Sequence, residues 1–161
     1  MSESRRSRAR TIAYWALTLI VSWEMVAGSI WDLLQIEYGR AVSDHLGYPH
    51  YLGFILGAWK LPCALTLLVP RFERLKEWAY AGAFFNYSGA AASHVLVGDG
   101  VSKWIVPIIF AAITLGSWAI RPADRRLAPH AERTALAARA WIGPVVIVVA
   151  LLAISLATVP R

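Results

Sequence analysis

Three ionisable side chains stand inside otherwise apolar runs of this chain: Glu24, Lys60 and His94. A charge at membrane depth costs about 3 kcal/mol or more, so such groups turn toward other helices and seek partners. A carboxylate and an ammonium at similar depth can form an ion pair, and an imidazole can exchange protons near neutral pH. Asn86 suits an interhelical hydrogen bond, and Trp31 shares a helix side with Glu24 and Gly28. Two readings compete for the cluster of Glu24, Lys60, His94, Asn86 and Trp31. In one, an ion pair and its polar neighbours fix helix register, a common use of buried charge. In the other, Glu24, Lys60 and His94 line a small-molecule site open to the outer face, where His94 moves protons.

The elements that must carry these residues are membrane helices. Of 161 residues, 58% are hydrophobic and only 16% charged, against about half and a quarter in soluble domains. The charges are segregated between apolar runs long enough to cross a bilayer, which takes about 20 residues. Residues 1–10 form a basic arm with Arg5, Arg6, Arg8 and Arg10. Spans follow over Thr11–Trp31, Tyr51–Val69, Trp78–Val97 and Trp104–Ile120, so residues 11–120 are expected to form an antiparallel four-helix transmembrane bundle. Residues 121–139 read as a basic connector and 140–161 as a fifth, C-terminal transmembrane helix whose span Trp141–Val159 carries no charge. Asp32–His50, with Glu37, Arg40, Asp44, Gly47 and Pro49, reads as a polar loop. The fold class expected is therefore an all-α membrane protein. A basic start before an apolar run also fits a cleavable signal peptide. The length of the run, Glu24 within it and the lack of an A-x-A site favour a retained helix.

Lys and Arg set the orientation. The arm, the turn after the second span (Arg71, Arg74, Lys76) and the connector (Arg121, Arg125, Arg126, Arg133, Arg139) are basic, against Arg40, Lys103 and Arg161 on the other side. The N-terminus is expected in the cytoplasm. The net charge of +6 is then a topology signal rather than a nucleic-acid footprint, because no basic helix face interleaves with aromatics. Glu24, Lys60 and His94 fall about seven, nine and three or four residues from the outer ends of their spans, roughly 10, 14 and 5 Å at 1.5 Å per residue. Those depths allow Glu24 and Lys60 to pair. Gly53 and Gly57, on the side of Lys60, form a GxxxG step that permits close helix approach.

Catalytic and metal signatures are missing. The single cysteine, Cys63, excludes an intramolecular disulfide and a Cys-built metal site. The four histidines are scattered, with none paired at helical spacing, so no metal site is expected. No GxSxG elbow, Walker loop or dinucleotide fingerprint occurs. Asp32, Asp44, His45 and Asp99 are expected to be solvated near the outer surface, and His130 has no cluster around it.

The stretch Leu46–Gly100 resembles the DoxX-like family of small bacterial inner-membrane proteins through LGYP before the second span, LGAWK within it, LLVPR at its exit, the RLKEWAYAG turn and the GAAASH segment. WEMVAGSIWDLL in the first span is similar as well, extending the likeness to about the first 120 residues. The resemblance implies a four-helix membrane bundle in the bacterial inner membrane. It also implies an association with thiosulfate-to-quinone oxidation or with membrane oxidoreductase complexes. Lys60, Trp78 and His94 match as motif positions, and no catalytic role comes with them. The fifth span lies beyond the family's usual four.

The expected function is that of an accessory or quinone-associated subunit of a membrane oxidoreductase system rather than a stand-alone enzyme. Its partners would be the lipid bilayer and a redox protein or a second copy; the residues fix no cofactor, and a quinone is the candidate. A small carrier using the Glu24–Lys60 pair and a non-catalytic scaffold are the alternatives.

Overall fold

The computed structural model describes residues 3–126 and the single position Val146; the expected fifth span at 140–161 lies outside them. The described residues are all-helical: α1 Glu3–Leu33, α2 Glu37–His45, α3 His50–Leu68, α4 Glu73–Leu96 and α5 Val101–Ala119, then one 3₁₀ turn, Ala123–Arg125. Among the described residues, three segments are long and apolar enough to cross a membrane: Arg5–Leu33, His50–Leu68 and Val101–Ala119. α4 is longer than α3 or α5, but Glu73, Arg74, Lys76 and Glu77 crowd its first turns.

Packing contacts join α1 to α3, α3 to α4, α4 to α5 and α5 back to α1. One core takes side chains from all four: Val21 and Met25 from α1, Ala64 and Leu67 from α3, Ala79, Tyr80, Ala83 and Tyr87 from α4, and Ala111 from α5. Alanine is prominent there, whereas Trp23, Phe54, Trp59, Trp78 and Phe85 are exposed. Small residues inside allow helix backbones to approach, and large apolar side chains outside suit a hydrocarbon solvent. At the α1–α3 seam a Cβ on Gly57 would meet Leu33 Cγ at 2.8 Å and Asp32 Cβ at 3.0 Å. Ser29 donates to the Gly57 carbonyl across it at 2.8 Å. The GxxxG step therefore lies in a close helix contact.

The structure departs from the expected helix boundaries at both ends of the first span. α1 begins within the basic arm at Glu3 rather than at Thr11, and Arg10 Nε donates to the Ile120 carbonyl at the end of α5. The segment Asp32–His50 is not simply a loop. α1 runs through Leu33, and α2 fills Glu37–His45 after a turn in which Gln35 is left-handed at φ 50°. Charged and turn residues hid this helix, whose apolar stripe of Tyr38, Ala41 and Val42 is short and not fully buried.

Part of the basic charge is structural. The last carbonyls of a helix have no partner within it. Those at the end of α3 are served by two buried cations. Lys76 Nζ donates to Thr66 O at 2.7 Å and also to Val69 O. Arg125 donates to Leu67 O at 3.1 Å and Leu68 O at 3.3 Å, with its guanidinium 4.5 Å from the Trp15 ring centroid. Arg121, also buried, pairs with Glu77 at 2.7 Å.

Candidate functional site

The α1–α3–α4 junction gathers the ionisable groups. Glu24, Gly28 and Asp32 recur at four-residue steps, which keeps them near one side of α1. Lys60 faces that side from α3, and Tyr87 reaches it from α4. Tyr87 donates its hydroxyl hydrogen bond to Glu24 Oε2. Lys60 Nζ donates to Asp32 Oδ2 at 2.7 Å, with both side chains about 15% exposed. Gly28 lies between the two pairs: a Cβ there would stand 3.2 Å from Lys60 Nζ and 3.5 Å from Glu24 Oε1. The result is a run of four ionisable side chains, Tyr87, Glu24, Lys60 and Asp32, drawn from three helices.

Glu24 and Lys60 are thus neighbours, but the ion pair of Lys60 is with Asp32. The reason is the length of α1. Because the helix continues through Leu33, Asp32 is held about two turns beyond Glu24, and the lysine stem extends toward it, as long cationic side chains do when they reach for a polar end. The expectation that Asp32 is merely solvated is corrected. Trp31 sits beside this end, edge-on to Tyr38 with centroids 5.6 Å apart. It lines a recess of about 10 Å³ with Asp32, Gln35, Arg40 and Ser43, which is room for about one water.

Two of the sequence candidates stand apart. His94 Nδ1 lies 2.6 Å from Asp99 Oδ2, and His45 Nε2 lies 2.9 Å from the same carboxylate. Asp99 is therefore partnered rather than merely solvated, whereas His45 is exposed as expected. The His94 hydrogen bond, and after it that of His45, hold the Asp99 carboxyl below its ordinary range. Asn86 is half-buried and forms no side-chain hydrogen bond among the described residues.

Tyr87 was legible only indirectly: it lies seven residues, two turns, before His94 on α4. A second polar contact also escaped the sequence reading. Ser117 Oγ on α5 meets Thr18 Oγ1 of α1 at 2.8 Å and the Tyr80 hydroxyl of α4 at 2.9 Å. Hydroxyls on apolar helices are too common to single out without knowing which faces meet. Cys63 Sγ contacts the Ala79 carbonyl at 3.3 Å, a packing role.

Residues 16–117, more than half of the chain, match the DoxX-like family. No curated protein and no solved structure matches it.

Proposed function

This chain belongs to the DoxX-like family, and we propose on that premise that it is an accessory, quinone-associated subunit of a membrane oxidoreductase system. It is a membrane protein of that family. In the proposed arrangement it is a multi-pass protein of the bacterial inner membrane with a cytoplasmic N-terminus. Helices α1, α3, α4 and α5 form the antiparallel bundle, and residues 140–161 add a fifth span. Supporting this arrangement, Ser29 meets Gly57 toward one end of the α1–α3 seam while Arg125 bridges Tyr14 and Leu67 toward the other. The basic residues gather on the side of the α1 N-terminus.

The observation that carries the functional reading is the run Tyr87, Glu24, Lys60 and Asp32 leading to the recess beside Trp31. Ionisable residues at membrane depth mark proton relays and ligand contacts as well as register-fixing networks. A quinone carbonyl accepts hydrogen bonds of the kind Tyr87 and Lys60 offer, and its reduction consumes protons that such a run can pass along.

The test is organic extraction and mass spectrometry of protein purified in mild detergent. Near-stoichiometric quinone in the wild type, lost in Glu24→Ala, is the expected result. Absence of both quinone and a co-purifying redox protein would sink the reading.

A second reading, a membrane scaffold, is favoured by a different aspect of the same site: Lys60 is already paired with Asp32 and Glu24 already bonded to Tyr87. Such closed pairing is what a register-fixing network needs.

A further inference from the structure

We infer that His45, His94 and Asp99 form a binding site for a divalent first-row metal ion, with Zn²⁺ or a close analogue as its natural occupant. The site is separate from the Glu24–Lys60 run and does not depend on the quinone reading.

The three ligands come from separate elements, and the ends of two helices bring them together. α4 stops in a Schellman turn: Gly98 is left-handed at φ 83°, its N–H bonds to Val95 O at 3.1 Å, and the Asp99 N–H bonds to His94 O at 2.9 Å. That turn satisfies the last carbonyls of α4 and in doing so folds Asp99 back against His94. α2 ends in the same way. Gly47 has φ 74°, its N–H bonds to Asp44 O at 3.1 Å, and the Tyr48 N–H bonds to Ser43 O at 2.8 Å. The Tyr48 hydroxyl then bonds to Ser93 on α4 and docks the two helix ends together. His45, in the last turn of α2, is thereby set over Asp99.

One donor atom from each residue lies within 4.8 Å of the other two. His45 Nε2 is 2.9 Å from each carboxylate oxygen and His94 Nδ1 is 2.6 Å from one of them. A tetrahedral ion with bonds of about 2.0–2.1 Å needs ligand atoms about 3.3 Å apart, so the His94 contact has to open by about 0.7 Å and those of His45 by about 0.4 Å. His45, with a side chain 54% exposed, has room to make that adjustment. His94 and Asp99 are only 12% and 14% exposed and form the inner side of the site, where a small side-chain rotation has to supply the larger opening. The ion would take the place of the imidazole protons that now face the carboxylate, and those protons leave to solvent or move to the far ring nitrogens. The open side next to His45 leaves a position for water, and two histidines with one carboxylate suit Zn²⁺ and its neighbours rather than Ca²⁺ or Mg²⁺. No histidine spacing announces this site, because its ligands come from positions 45, 94 and 99.

The test uses the full chain without a histidine tag, purified in mild detergent and stripped with chelator. Equilibrium dialysis against Zn²⁺ with elemental analysis should find one ion per chain. His45→Ala, His94→Ala and Asp99→Asn should each weaken binding at least about tenfold, and Cys63→Ser should not. Co²⁺ as a probe should show tetrahedral d–d bands without a thiolate charge-transfer band. His45→Gln, on the exposed arm of the site, serves if a buried substitution fails to fold. Failure of the wild type to bind one ion, or binding unchanged by all three ligand substitutions, would overturn the inference. Loss of binding in Cys63→Ser would do the same.

Discussion

Breaking the Lys60–Asp32 contact should reveal strong coupling between two residues on different helices. The charged atoms are 2.7 Å apart, and their attraction at an effective dielectric of about 20 is roughly 6 kcal/mol. Desolvation on folding offsets much of that, so the pair adds little net stability over apolar replacements. Removing one partner is different, because the other charge stays behind without compensation. Loss of one member of a buried pair costs about 3–5 kcal/mol, and the partial exposure here puts Lys60→Met near the lower end, about 3 kcal/mol. Asp32→Ala should be milder, about 2 kcal/mol, because the freed ammonium has Glu24 Oε1 close by across Gly28. The double substitution should cost only about 1 kcal/mol, giving a coupling of several kcal/mol. The assay is unfolding by titrated SDS in mixed micelles, followed by tryptophan fluorescence, for the wild type, both single variants and the double variant. Losses that add within about 0.5 kcal/mol would refute the ion pair and the placement of Asp32 that creates it.

Four further outcomes follow from the same geometry. Gly57→Ala should destabilise by about 1–3 kcal/mol in that unfolding assay, because its methyl would press on Leu33 and Asp32. Gly82→Ala on α4 meets nothing within 4 Å and should be neutral or stabilising by up to about 1 kcal/mol. Arg125→Ala should cost about 2–4 kcal/mol by orphaning the Leu67 and Leu68 carbonyls, and the thermal midpoint of Arg125→Lys should lie between those of wild type and Arg125→Ala. Asp99 has its folded pKa lowered from an ordinary value of 3.8. Its contribution to stability is therefore complete above that value and lost as pH falls through the lower, folded one. Wild type should thus lose more thermal stability than Asp99→Asn between about pH 5 and pH 3; equal losses would show that the histidine contacts do not hold the carboxylate.

The membrane-length helices and the ionisable residues inside them were legible without tertiary structure, because both follow from local rules. An apolar run about 20 residues long has few fates besides a helix in lipid or a core. An ionisable side chain inside such a run must find a partner, which is why Glu24, Lys60 and His94 stood out before any partner was known. Gly53 and Gly57 marked the close α1–α3 contact for a similar reason, since four-residue spacing puts both on one helix side. The partners themselves depend on where helices end and how neighbouring helices are rotated. Asp32 looked like a loop residue until α1 was seen to run through Leu33, and that extension diverted Lys60 from Glu24. Tyr87 is one hydroxyl among many until α4 is turned so that it meets α1. His45, His94 and Asp99 meet only because two Schellman turns fold two helix ends onto each other. A hydrophobic pattern repeats along the chain and can be read from it, whereas a hydrogen bond or ion pair is decided by a few ångströms between elements far apart in sequence, and only tertiary packing sets that distance.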